Sequence, residues 1–403
     1  MNKQLNLAVA GAVLALSATA ASAGIMIPAG DWTLDVGGVV NTYYTSTRTS
    51  GNGTSLVGLK NDTGTRTASN ITTGLLPNYL SVSGKTRQND LDVGFTISIQ
   101  PGASTTHAGI QGGTFGGVSN QENRQAFLTF GDKSWGSIKL GKDIGIYASD
   151  AILNDMTLLG VGSLAGAVAG NTTTAGRIGT GFMYADWKSQ IAYTSPNFNG
   201  FSFTGGVTQA WNAISALGGV NSLGTSQRGG AAPAFEGKAS YEFAGDVSGK
   251  VWVSGITQKV TGARDRAESA DIGATVNVSG FGLTGYYYGG SGIGQTFQLF
   301  DGFDANRKAR DSEGGYVQGT YTLPGVGTKL GLSWGESKLD ANGATDGLGS
   351  VKDEMWTVGA YHPLTKHLNL VAEYSDVKHR VNAPAGNSTG KAKTVSLGAI
   401  LFF

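Results

Sequence analysis

Two short stretches have a spacing that could do covalent or phosphate chemistry. Gly331 to Gly335 reads GLSWG, a G-x-S-x-G pattern with Ser333 where a nucleophile would sit on a strand-to-helix elbow. Ser83 to Thr86 reads SGKT, the closing half of a phosphate-cradling loop. Neither has the context its chemistry requires. An elbow needs a helix after the serine, whereas KLGLSWGES alternates apolar with small polar residues straight through it. Tyr79 stands where the first glycine of a phosphate loop belongs, and no helical pattern follows Thr86. His107, His362, His367 and His379 fall in expected loops or turns, without the H-E-x-x-H spacing of a metal site. No catalytic, cofactor-binding or metal-binding residue is assigned, and no enzyme is expected.

The elements behind these stretches have a different periodicity. In NDLDVGFTISIQP, Leu91, Val93, Phe95, Ile97 and Ile99 alternate with Asp92, Gly94, Thr96, Ser98 and Gln100, the pattern of a strand wet on one side only. The same period puts Leu330, Leu332 and Trp334 on one face, and likewise Leu368, Leu370, Ala372 and Tyr374. A β-sandwich shares this alternation, with the apolar face as its core. The lengths of the links and the aromatics at strand ends weigh against the sandwich, and bulk composition restricts the remaining classes. Mean hydropathy is −0.08, too low for apolar helical spans. Gly is abundant, at 65 residues against 8 Pro, yet it is interleaved with Val, Leu, Tyr and Trp, as disordered chains are not. A transmembrane β-barrel is the membrane architecture that reads as this neutral.

Residues 1–23, MNKQLNLAVAGAVLALSATAASA, combine Lys3, an apolar run and a small-x-small end at Ala21 to Ala23, the pattern of a cleaved secretory signal peptide. Its removal would leave 28 basic and 28 acidic residues, a balance that argues against a nucleic-acid partner. With no cysteine in an exported chain, neither disulfides nor thiolate metal sites are expected.

Sixteen strands are expected, at 31–44, 78–87, 90–100, 122–131, 135–142, 181–195, 199–210, 233–244, 247–259, 267–279, 281–290, 311–322, 327–338, 353–362, 366–378 and 392–403. Links between them alternate, tight ones such as RQND and GDKS trading places with long Gly/Asn/Thr-rich ones. One rim therefore carries turns and the other loops. Aromatics near strand ends, among them Trp32, Tyr43, Trp135, Tyr241, Tyr286 to Tyr288 and Trp356, suggest girdles at the lipid headgroups. Lipid offers no partner to a free backbone group, so the sheet must close, last strand against first.

The last strand is TVSLGAILFF, with Val395, Leu397, Ala399, Leu401 and Phe403 outward. This ending, together with GDWTLDVGGVVNTYY, ENRQAFLTFGDKSWGSIKLGKDIGIYASDAILNDM and LTKHLNLVAEYSDV, resembles the trimeric general porins of the Gram-negative outer membrane. The resemblance covers essentially all of residues 24–403. It implies an all-β, 16-stranded antiparallel barrel with short periplasmic turns and long extracellular loops, and a homotrimer in contact with outer-membrane lipids and lipopolysaccharide. It also implies a terminal Phe403 read by the barrel-assembly machinery, and passive diffusion of ions and small hydrophilic solutes.

A wide barrel needs something folded inward to become selective. The link at about 142–180 is the candidate, and it holds the one helical patch outside the leader, SDAILNDM, with Ser149 or Asp150 placed to cap it. Alternation turns Lys85 and Lys139 inward, and weaker candidates are Lys188 and Arg177. The resemblance places a wall arginine at Arg124 and implies that the acids of the loop region, Asp143, Asp150 and Asp155, face basic residues across the pore. Opposed charges there would set up a transverse field that favours small polar solutes. The other classes weighed are a barrel phospholipase, which needs a Ser/His pair at the lipid rim, and a barrel acting as scaffold, receptor or sheath.

Overall fold

The structure, a computed structural model, describes residues 24–52, 67–103, 121–164, 173–213, 232–343 and 346–403. The leader at 1–23, His107 and residues 165–172 of the inward link lie outside the described residues.

Eighteen strand segments build the wall: β1 (Ile25–Ala29), β2 (Trp32–Gly51), β3 (Thr67–Thr72), β4 (Tyr79–Gln88), β5 (Leu91–Pro101), β6 (Gln121–Asp132), β7 (Gly136–Ile144), β8 (Trp187–Thr194), β9 (Phe201–Thr208), β10 (Ala234–Phe243), β11 (Val247–Lys259), β12 (Arg266–Val278), β13 (Phe281–Ser291), β14 (Asp311–Thr322), β15 (Lys329–Leu339), β16 (Ser350–Pro363), β17 (Leu368–Ala383) and β18 (Gly386–Phe402). They make sixteen staves. β3 and β4 pair with the same strand, β2, at Tyr43 to Arg48 and at Thr33 to Val39, and so form one stave interrupted at 73–78. β1 pairs with β2 from Val36 to Trp32, continuing the edge that β18 leaves at Val39. Every neighbour pair is antiparallel, and β18 closes on β2 from Gly390 opposite Gly51 to Phe402 opposite Val39.

The burial pattern is that of a soluble protein turned inside out. Leu283 and Leu332 are each 59% exposed, while Thr47, Ser333 and Ser375 are buried. Inward hydroxyls pair across strands, Ser83 with Thr96 at 2.9 Å and Thr357 with Ser375 at 2.9 Å. These bonds satisfy polar groups that the pleat turns away from lipid. The Leu and Trp faces thus meet no second sheet, and the sandwich reading does not hold.

At the short-turn rim, Asn89 (φ 48°) and Asp90 (φ 62°) form the left-handed pair of a two-residue hairpin, matching the twist of β4 and β5. Three local expectations need correction. The link expected before 392 is a tight hairpin at 384–385, because β17 and β18 pair out to Ala383 and Gly386. The strand expected from 181 begins at Trp187. Among the expected girdle residues, Tyr43, Tyr286 and Tyr288 are buried, and only Tyr287 of its triplet faces out, at 52% exposure. Strand parity decides this: neighbours in a strand occupy opposite faces, so three successive tyrosines share a rim but not a side.

Candidate functional site: the lumen constriction

After Ile144 the chain turns away from the wall and returns at Trp187. A loop inside a barrel must bond its backbone somewhere, and the wall side chains supply the partners. Glu236 on β10 accepts from the N–H groups of Ile146 and Tyr147, both at 2.8 Å. Ser254 on β11 accepts from Ala148 N–H at 3.1 Å. Gln318 on β14 accepts from Met156 N–H at 2.6 Å, and Glu373 on β17 accepts from Val161 and Gly162 at 2.7 and 2.9 Å. Tyr43 on β2 donates to Leu159 C=O at 2.7 Å. The loop therefore follows the inner wall from β10 round to β2. Gly160 permits the closest approach: a Cβ there would stand 2.1 Å from Glu373 Oε1.

The expected helix is present as α1 (Ser149–Leu153), but its cap is not the one expected. The N-cap is Ala148 at φ 62°; Ser149 Oγ donates backwards to Ile146 C=O at 3.0 Å, and Asp150 is taken by lysines. Asp155 instead caps the following 3-10 turn, Met156–Leu159, accepting from Thr157 N–H at 3.1 Å.

A second loop, between β13 and β14, also folds inward, which the sequence reading missed. Gln298 Nε2 donates to the Tyr184 and Ala185 carbonyls at 3.1 Å each, and Tyr184 N–H donates to Thr296 C=O at 3.0 Å. Lys188, fully buried, joins the two loops to the wall through Glu236 and Gln298, both at 2.6 Å.

Between the inward loops and the wall of β4 to β8 lies a cavity of about 90 Å³. Leu75, Leu76 and Pro77 enter it from the interrupted stave, and Ile152, Leu153 and Leu158 from the inward loop. Tyr184, Trp187 and Phe297 add aromatic surface, while the wall contributes Gln100, Arg124 and Gln125. Of the described residues lining the cavity, Arg124 alone bears a formal charge.

Arg124 reaches the cavity through an irregularity. Parity alone would group it with Ala126 and Leu128, the latter 47% exposed to the outside. The pairing of β5 with β6 shifts between Ser98 and Gln100, so that Asn123 and Arg124 together oppose Ile99. Such a bulge re-aims a side chain. Arg124 ends 6% exposed, with Nε on Glu122 at 2.8 Å, Nη2 on Thr173 at 3.5 Å and its guanidinium 5.8 Å from the Trp187 ring centre.

The other candidates lie elsewhere. Lys85 shares the inward parity of Ser81 and Ser83 but is exposed, near the short-turn rim and away from the cavity. Lys139 bonds Asp143 on its own strand and lies 4.8 Å from the Phe127 ring centre; Asp143 also accepts from Gln125 at 3.0 Å. Asp150 turns to the wall behind the loop, against Lys250 at 2.6 Å and Lys238 at 3.1 Å. Burial raises its carboxyl, but the two ammonium groups outweigh burial and hold it below the usual carboxylate range. Asp155 is buried beside Arg177 Nε at 3.8 Å and bonds Thr157. There burial dominates, pushing Asp155 up and Arg177 down. Asp150 and Asp155 thus anchor the loop, Asp143 pairs within the wall, and among the described residues the carboxylate that meets Arg124 is Glu122 rather than one of the three expected acids.

The wall charges that hold the loop, Glu236, Lys238, Lys250 and Glu373, were missed as well. Their signal was in the sequence: each lies on the inward parity of its strand, beside outward Phe235, Val251 or Leu370.

Residues 8–382 match the sequence model of the Gram-negative porins. Among curated proteins, no sequence matches. Solved structures share the fold at low identity. The outer membrane channel DcaP of Acinetobacter baumannii is 17% identical over 94% of this chain and 100% of its own, with a TM-score of 0.64. The anion-selective porin from Comamonas acidovorans is 17% identical over 92% of this chain and 100% of its own, with a TM-score of 0.61. OmpF of Salmonella typhi, solved with daunomycin, is 17% identical over 94% of this chain and 100% of its own, with a TM-score of 0.59. A closed sixteen-stave barrel with an inward loop and a matching family pattern leave one assignment: the chain belongs to the Gram-negative porin family, the diffusion channels of the outer membrane.

Proposed function

We propose that the mature chain, cleaved after Ala23, assembles as a homotrimer in which each subunit carries its own water-filled path for ions and small hydrophilic solutes. The observation that carries this reading is the loop bonded along the inner wall from β10 to β2, which narrows the barrel to one side without detaching from it. Arg124 acts at the narrowest part. Lys85 and Lys139 line the wetted wall beyond it, Asp143 is buried behind Lys139, and Asp150 and Asp155 hold the loop in place. Outer-membrane lipids and lipopolysaccharide surround the exposed Leu and Phe belt, and Phe403 presents the closing strand to the assembly machinery. Trimer and assembly signal rest on the family resemblance. Planar-bilayer recording tests the reading: a trimeric channel opens in steps of three, whereas a barrel serving as a sheath or scaffold gives no steps.

A further inference from the structure

The apolar side of the constriction has no role in an ordinary wet channel, and it is extensive. Leu75 and Leu76 face the cavity only because the β3/β4 stave breaks at 73–78, and Leu153 and Leu158 only because α1 and the 3-10 turn lie along the wall. Opposite them stands one cation flanked by two amides, Gln100 and Gln125. Arg124 has Nε and Nη2 engaged, while Nη1 makes no hydrogen bond among the described residues. One wall therefore offers a donor for a carboxylate, and the facing wall offers hydrocarbon.

From this two-sided lining we infer that the channel prefers short-chain aliphatic monocarboxylates over equally charged, hydroxylated anions of the same size. The inference rests on the channel reading above and names its preferred solute class. A small inorganic ion or a polyol anion must give up water bonds against the leucines and recovers nothing there, because an apolar constriction resists wetting. A carboxylate with a hydrocarbon body keeps its charge on the Arg124 side, and its methylenes replace water on the leucine side, a favourable transfer. Size narrows the class. The space between loop and wall is small, about 90 Å³, and an extended chain of about three to five carbons passes it end-on with a smaller cross-section than a ring of similar carbon count. Charge sets the sign: Glu122 pairs with Arg124 Nε at 2.8 Å and offsets part of its charge from outside the lining, and the remaining guanidinium face on the lining favours an anion over a cation of the same shape.

The test is a pair of reversal-potential measurements on the full-length protein in planar bilayers at pH 8, with potassium butyrate opposed to potassium glycerate. Current reports only the charged forms, so leakage of neutral acid through lipid does not contribute. The expected permeability ratio of butyrate to glycerate is about 5 or more, the effect of sheltering one to two methylenes. Leu153→Ser is expected to bring that ratio toward 1 and to raise conductance in potassium chloride, because a hydroxyl wets the gap. Arg124→Gln is expected to lower anion over cation permeability severalfold while butyrate stays ahead of glycerate. A wild-type ratio of 1 or less in a protein that conducts potassium chloride overturns the inference and leaves the channel reading intact. Unchanged ion selectivity in Arg124→Gln also overturns it. Absence of any conductance removes the channel reading, and this one with it. Should Leu153→Ser fail to fold, the wild-type ratio and Arg124→Gln still decide.

Discussion

Phe403 and Gly38 exchange both backbone hydrogen bonds, Gly38 N–H to Phe403 C=O at 2.7 Å and Phe403 N–H to Gly38 C=O at 3.1 Å. The terminal residue thus finishes the β18 to β2 seam, and its ring lies against Gly38, which has no side chain to obstruct it. A Cβ at Gly38 would stand 2.8 Å from Phe403 Cζ and 2.3 Å from Tyr79 C=O. Gly38→Val is therefore expected to force the seam apart and sharply lower the yield of barrel that migrates as folded in unheated detergent gels. Phe403→Ala keeps both backbone bonds and loses only ring packing, a cost of about 1–2 kcal/mol. Equal folding of Gly38→Val and wild type would show that the seam does not depend on this contact.

Asp150 gives the loop a defined acid sensitivity. Its folded pKa lies below the ordinary 3.8, since Lys238 and Lys250 overcome the cost of burial. A depressed carboxyl contributes fully above its unfolded value and loses that contribution as pH falls through the folded one. The loop is expected to stay docked at neutral pH and to loosen only below about pH 4, seen as growing current noise. Asp150→Asn should show that noise already at pH 7, with a loss on the order of 1–3 kcal/mol, because two lysines then face each other without the carboxylate. A quiet Asp150→Asn channel at pH 7 would rule out this anchor.

The buried pair Asp155 and Arg177 calls for a different experiment. Burial outweighs their mutual attraction across 3.8 Å, and Arg177 Nε and Nη2 have no hydrogen-bond partner among the described residues. Removing one charge strands the other, so Asp155→Asn and Arg177→Met are each expected to cost about 3–5 kcal/mol. The double variant removes both desolvation penalties and should recover most of that loss in thermal unfolding, an interaction that adding the single effects would not produce. Strictly additive losses would mean the two side chains act independently.

Strand parity was legible almost everywhere because one face of each stave sees lipid and the other does not. Leu91 to Gln100 announces itself in this way, and so does the closing strand down to Phe403. Extended strand ends such as Ala383 and Gly386 were not legible, since beyond the membrane both faces are wet and the period carries no signal. The lumen resisted for another reason. Arg124 reaches the cavity through a bulge, and a bulge has no fixed residue signature. Asp150 and Asp155 were recognised as loop acids, but their partners Lys238, Lys250 and Arg177 are set by where the loop lies, which alternation along single strands does not encode.

The interruption at 73–78 is the feature most open to a direct test, because side chains of two asparagines bridge it. Asn41 N–H donates to Asn78 Oδ1 at 2.6 Å, Asn41 Nδ2 donates to Leu76 C=O at 2.9 Å, and Gly74 N–H donates to Asn41 Oδ1 at 2.8 Å. These bonds replace the ladder where the stave departs from β2, and they hold Leu75 and Leu76 against the inward loop, to which both also donate, at 2.9 Å to Gly160 C=O and 3.3 Å to Leu158 C=O. Asn41→Ala removes the two bonds of the Asn41 side chain, keeps the backbone bond from Asn41 N–H to Asn78, and leaves the Leu76 carbonyl and Gly74 N–H buried without their partner, at about 1–3 kcal/mol each. The segment should then lean away from the loop, raising single-channel conductance and speeding amide exchange at Leu75 and Leu76, while β2 pairing with β18 holds. A variant with faster exchange and unchanged conductance would show that the two leucines do not border the conducting path.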